Sequence, residues 1–197
     1  GHAVKIGTVL FQDKYHPEIK FVSPVSGTLK SVIRGERRRI LEVIVESDGK
    51  DEYVDFGAAN PASLDRDAVI NRLLLSGAWP YLRQRPYDVI ANPQDTPKAI
   101  FISGFDSSPL APDIDFVLTG QEEALNAGIE VLKKLCPEVH IGICSDSASK
   151  VFNTLKGVKL HAFSGPHPAG NVGVQIHHVM PINKGEKVWV LQPQEIV

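Results

Sequence analysis

Two kinds of hydrophobic spacing divide the chain. As far as residue 57 the apolar positions recur in short β-type runs; beyond it they alternate between helical stripes and compact apolar blocks. Val9, Leu10 and Phe11 form a run after Gly7, and Phe21, Val22 and Val25 lead into the turn signal Ser26-Gly27. Leu29, Ser31 and Ile33 are expected to share one strand face. Leu41, Val43 and Val45 alternate with Glu42, Ile44 and Glu46 in the next strand, which stops at Asp48-Gly49. Arg34 to Arg39 make a polar, tight connection between the two. The pattern predicts a small antiparallel β module over residues 1–57, bounded by the break at Gly57 to Pro61.

Residues 58–197 read differently. Val69, Ile70, Leu73 and Leu74 fall on one helical side, with Gly77 as the stop. Trp79 to Pro97 is irregular, rich in Pro, Arg and aromatics. Buried-type strands are predicted at Ala99 to Ile102, Val139 to Cys144 and Val158 to Phe163. Val172, Val174 and Ile176 alternate as a further strand, and Val188 to Leu191 is a late short one. Thr119-Gly120-Gln121-Glu122 has the form of a capping box ahead of a helix with the stripe Leu125, Gly128, Ile129 and Leu132, closed by Pro137. Ser147 to Leu155 is expected to be a short helix. Strand, helix, strand, helix, strand in this order predicts βαβ units and a mainly parallel sheet, hence an α/β fold.

Composition narrows the function classes. The chain has 197 residues and a formal net charge of -2, so no large positive field attracts nucleic acid. No run of about 18 apolar residues is present to span a bilayer, and no charged-then-apolar leader opens the chain. The two cysteines, Cys136 and Cys144, form no C-x-x-C and are expected to be free thiols.

Several groupings bear on chemistry. The opening segments Val4 to Phe11 and Ser23 to Leu29 are similar to half of a biotinyl/lipoyl-type barrel-sandwich module, whose short strands turn at glycines. Lys14 is the nearest lysine to a carrier position, but the Met-Lys-Met or Asp-Lys-Ala setting of a carrier is absent, so a structural role is expected. Arg34 and Arg37 to Arg39 form either a solvated hairpin turn or a site for phosphate or a partner carboxylate. Ser103 to Pro109 holds one glycine, too few for a dinucleotide turn. Asp106, Asp113 and Asp115 fit no calcium loop. His177 and His178 are adjacent on an expected strand, which would send them to opposite faces; His161 lies elsewhere and His167 sits between two prolines, so no metal site is expected. Ser164-Gly165 lacks the G-x-S-x-G turn. Gly165 to His177 is either a rigid turn or a ligand loop.

Taken in order, Val9-Leu10-Phe11, Ser26-Gly27-Thr28, Arg34-Gly35-Glu36-Arg37-Arg38, Glu42 to Val45, Ser76-Gly77-Ala78-Trp79, Leu82 to Pro86, Pro109-Leu110-Ala111, Gly120-Gln121-Glu122 and Gly165 to Gly170 make the chain resemble the NqrA family, one of the component types of the sodium-translocating NADH:quinone oxidoreductases. Members of that family are considerably longer, so the resemblance implies an internal fragment, with a truncated barrel-sandwich-hybrid-like β module followed by a Rossmann-like domain. It implies a peripheral subunit on the cytoplasmic side of a bacterial inner membrane. Its partners would be the other subunits, which are expected to carry FAD, FMN and iron-sulfur centres. In flavin-binding relatives a glycine-rich loop after the first helix holds phosphate. Here Ser76 to Arg83 has one glycine among bulky side chains, so no tightly bound flavin or NADH is expected in this chain. The remaining role is assembly, with a contribution to a ubiquinone site for which Trp79, Tyr81, Phe105 and His167 are the candidate walls and donor. No catalytic residue or metal ligand is assigned. The alternatives are a purely docking role and a flavin-binding component of a related Rnf or complex I type.

Overall fold

The computed structural model describes residues 1–146 and 149–197. The chain divides into two compact units, one of residues 1–58 and 70–80, the other of residues 59–69 and 81–197.

The first unit contains five strands: β1 (Ala3–Val4), β2 (Val9–Gln12), β3 (Lys20–Val22), β4 (Gly27–Arg34) and β5 (Ile40–Ser47). β1, β4 and β5 form one antiparallel sheet and β2 pairs with β3 in another. Gly27 is required where β4 begins: its φ is +150° and a Cβ there would lie 1.9 Å from the Glu46 carbonyl oxygen. The β4–β5 register slips twice, between Leu29 and Ser31 and between Ile33 and Arg34. The first slip places Leu29 opposite Val45 and Val32 opposite Val43, so these four share a face. The expected set of Leu29, Ser31 and Ile33 on one face is therefore corrected: Ser31 and Ile33 point with Ile44 and Glu42 to the other side.

The helix α1 (Arg66–Ser76) spans the division between the units. Its end is a Schellman closure: Ala78 N–H donates to the Leu73 carbonyl at 3.0 Å and Gly77 N–H to the Leu74 carbonyl at 3.4 Å, with Gly77 at φ +75°.

The second unit is built on a six-stranded sheet. Its elements are β6 (Arg83–Arg85), β7 (Val89–Ile90), β8 (Ile100–Ser103), α2 (Ile114–Leu118), α3 (Glu122–Leu135), β9 (Val139–Cys144), β10 (Lys159–Phe163), α4 (Val172–Val179) and β11 (Val188–Val190). The strand order is β10-β9-β8-β11-β6-β7. β10, β9, β8 and β11 are parallel, while β6 and β7 add antiparallel neighbours at one edge. The sheet is mixed and mostly parallel, as the alternating pattern predicts. β8 is buried along Ile100 to Ile102, as expected of a strand covered on both faces.

Four local readings change. Val172 to Ile176 is helical: Asn171 caps α4 by accepting from Gly173 N–H at 2.8 Å, and Val172, Ile176, Val179 and Met180 pack on Ala99, Phe101, Val188 and Val190. The apolar residues recur at helical as well as alternating spacing, and β-branched composition points the wrong way. His177 and His178 consequently lie about 100° apart on a helix, their rings meeting edge-on at 5.6 Å, rather than on opposite faces of a strand. Thr119 does not cap α3; it ends α2, whose cap is Asp113, and α3 starts from Gln121. The segment from Trp79 to Pro97 contains β6 and β7. In place of the helix expected over 147–155 there is one 3₁₀ turn, Phe152–Thr154; Ser147 and Ala148 lie outside the described residues.

Candidate functional site

From β8 the chain moves through α2 and α3 to β9 and on to β10, then returns by α4 to β11 on the opposite side of β8. The direction of winding thus reverses between β8 and β11. In an open parallel sheet the loops leaving the carboxyl ends of two such strands part and leave a crevice. A cleft of about 490 Å³ lies there, within the size range of small-molecule sites. Ser103 enters it at the end of β8 and Phe105 and Asp106 just after, Leu191, Gln192 and Glu195 after β11, and Arg83 and Arg85 from β6.

The loop over the cleft is tied down from below. Ser103 Oγ lies 2.8 Å from the carbonyl oxygens of both Phe105 and Gly170, which share its single proton, and accepts from Gln175 Nε2 at 2.9 Å. Gln175, fully buried on α4, also donates to the Ala169 carbonyl at 3.3 Å. Gly170 fits because a Cβ there would stand 2.4 Å from Ser107 N. Gly170 N–H donates to Ser107 Oγ at 2.8 Å, and Ser107 Oγ lies 3.2 Å from His167 Nδ1. A Ser107 hydroxyl that accepts from Gly170 and donates to Nδ1 leaves His167 Nε2–H as a donor.

The polar wall is mixed in sign. Asp88 Oδ1 lies 3.6 Å from Arg83 Nε and 3.7 Å from Arg85 Nε, and the Asp88 carbonyl accepts from Arg83 Nη2. Burial pushes the Glu195 carboxyl up, opposed by the Gln192 N–H bond and by Arg83. Asp106 is held below the usual carboxylate range, first by the Ser108 amide and less by His167. Apolar surface comes from Phe105, Pro112, Ile114, Val172 and Leu191.

Two of the four residues chosen from sequence, Phe105 and His167, line this cleft. Trp79 is fully buried in the first unit, and Tyr81 is 56% exposed without lining the cleft. Arg83, Arg85 and Glu195 were given no site role from the sequence, although an Arg-x-Arg pair sharing one strand face was there to be read. Asp113 and Asp115 are occupied as a helix cap and as acceptor for Ser149 Oγ at 2.7 Å. Among the described residues no group of three or more His, Cys, Asp or Glu side chains could hold a metal ion, and no helix is long and apolar enough to cross a membrane. Cys136 and Cys144 are free.

The turn after α1 is packed rather than open. A Cβ at Gly77 would meet Val22 Cγ1 at 2.5 Å, and the Gly77 and Ala78 amides already close the helix.

Family models match both parts of the chain. Residues 1–48 match the NqrA N-terminal barrel-sandwich hybrid domain and residues 64–197 the NqrA second alpha/beta domain. Among the relatives, the NqrA component of the Na(+)-translocating NADH-quinone reductase of Pseudomonas aeruginosa PAO1 is 37% identical over 200 residues, and that of Saccharophagus degradans 38% over 200 residues. The same-named protein of Vibrio vulnificus YJ016 is 36% identical over 199 residues. Each alignment covers 100% of this chain but 44% of the relative, so the chain spans a little under half the length of these proteins. With one family model alone matching more than half of its residues, the chain belongs to the NqrA family.

Proposed function

We propose that the chain works as part of the NqrA component of a sodium-translocating NADH-quinone reductase, seated peripherally on the cytoplasmic side of a bacterial inner membrane, and that the cleft at the ends of β8 and β11 receives a quinone headgroup. The observation that carries the quinone reading is the presence of Phe105 and His167 in one cleft at the winding reversal. A planar headgroup needs an aromatic wall and a donor to its carbonyl oxygen; Phe105 offers the first and His167 Nε2–H or the arginines the second. The four parallel strands and the reversal also support a Rossmann-like reading of the second unit. The packed turn at Gly77 supports the view that this chain holds no flavin phosphate there, with FAD, FMN and iron-sulfur chemistry left to partner subunits.

A short-chain ubiquinone titrated into the chain, followed by calorimetry, is expected to bind saturably. Phe105→Ala and His167→Ala should each weaken it about tenfold, the equivalent of about 1.4 kcal/mol. Absence of saturable heat, or affinity unchanged from the wild type in both variants, would sink the quinone reading. It would favour a purely docking role, for which the exposed Leu110, Phe116 and Val117 provide apolar contact surface.

A further inference from the structure

The β4–β5 hairpin ends in a turn whose residues contradict its geometry. Arg37 (φ 53°, ψ 28°) and Arg38 (φ 61°) are both left-handed, and Arg39 N–H donates to the Glu36 carbonyl at 3.1 Å. Two successive positive-φ residues inside that bond make a type I′ turn, where Asn-Gly is the favoured pair. Arginine at both positions strains the backbone, since side chains other than Gly, Asn and Asp rarely adopt this conformation. A locally unfavourable choice of residues points to a use for the side chains.

Those side chains form a concentrated charge. Arg34, Arg37, Arg38 and Arg39 are all exposed, and among the described residues none takes part in an ion pair. Four arginines against Glu36 give residues 34–39 a net +3; the whole chain carries -2, so the other residues together carry -5. Apolar side chains stand beside the tip. Leu41, the extra residue of the second bulge, is 57% exposed and lies over Gly35, where a Cβ would meet its Cδ1 at 3.0 Å; Ile33 is 42% exposed.

We propose that this tip is a docking site for the anionic surface of a lipid bilayer, its guanidiniums on headgroup phosphates and Leu41 in the interfacial zone. A convex, cationic tip with a protruding apolar side chain suits a soft anionic interface, where arginine stems lie along apolar surface while their heads stay with phosphate. An acidic protein would instead need a matching concavity. The acidic residues of the hairpin do not cancel the charge at the tip: over residues 27–47, Lys30 and the four arginines stand against Glu36, Glu42 and Glu46, a net +2, and charges beyond the Debye length of about 8–10 Å are largely screened.

The test is sedimentation of the full chain with phosphatidylcholine vesicles, alone or containing phosphatidylglycerol. Binding to the anionic vesicles is expected to exceed that to neutral ones by about a hundredfold, and to disappear in high salt. The decisive variant is Arg37→Asn/Arg38→Gly. It installs the favoured turn pair, so its melting temperature should hold or rise while vesicle affinity falls about thirtyfold. Lys133→Glu/Lys134→Glu, on α3, should bind as the wild type does. Equal partition onto neutral and anionic vesicles overturns the proposal. So does undiminished binding by the arginine variant, or an equal loss in the lysine variant. Capture by a polyglutamate resin without vesicle binding also overturns it and reassigns the tip to an acidic protein.

Discussion

Gln175→Ala is expected to destabilise the chain by about 2–4 kcal/mol, measured by urea unfolding. Gln175 has no exposed surface, and its Nε2 is the donor that joins β8, through Ser103, to the loop carrying His167, through Ala169. Truncation removes both bonds, leaves the Ala169 carbonyl without this donor and opens a cavity beside Gly142, over which the amide oxygen sits. Gln175→Leu restores volume without the donor and should recover part of the loss; Gln175→Glu puts a carboxylate against a carbonyl and should be at least as damaging as alanine. Because the anchored loop shapes the cleft, the leucine variant should also lose affinity for the proposed quinone headgroup under conditions where it stays folded. Wild-type stability in Gln175→Ala would show that the loop is held by its own turns and prolines instead.

That network explains what the sequence conceals. Gln175 lies within Val172 to Ile176, whose alternating β-branched residues read as a strand; as a strand residue it would have no reason to meet Ser103, 72 positions earlier. Once Asn171 caps a helix there, Ile176 faces the core and Gln175 reaches β8. Elements with a single consistent period were legible: the stripe of α3, the block Val139 to Cys144 and the stop at Gly77 all stand where spacing puts them. The cleft was half legible. Phe105 and His167 suggested themselves by chemistry, but Arg83 and Arg85 sit on a three-residue strand that pairs on one side with the two-residue β7 and joins the sheet on the other only through β11, a partner about a hundred residues later. Short strands defined by distant partners leave little local pattern to read. Trp79 shows the converse: an aromatic beside an interesting glycine is read as a ligand wall, while the fold uses it as core.

Stability is expected to fall as the pH drops below about 6.5, through a histidine pair on the sheet. His140 on β9 is buried, stacks on Phe101 at 4.6 Å between centroids, and places Nδ1 2.9 Å from His161 Nε2 on β10. The two rings are nearly parallel with centroids 5.1 Å apart; with nitrogens this close, the contact is an in-plane hydrogen bond rather than face stacking. The charged groups facing the pair are Glu138, whose Oε2 is 3.3 Å from His140 Nε2, and Lys159, which binds that same carboxylate. Burial, then the neighbouring His161, holds the His140 imidazole below its ordinary value of 6.5, with Glu138 opposing; burial, then Lys159, does the same to His161. Above 6.5 both states are neutral at these sites and nothing is lost. Below it the unfolded chain binds protons that the folded chain resists, so unfolding is favoured with a slope bounded by about 1.4 kcal/mol per pH unit for each histidine. The decline ends once the folded pair itself takes up protons. Urea melts at pH 7.5 and 5.5 should differ for the wild type, and the difference should shrink in His140→Phe/His161→Leu, which replaces both partners by apolar groups so that neither is left unpaired. An unchanged difference in the double variant would move the acid sensitivity to the carboxylates, of which the pair Glu138–Lys159 is the nearest.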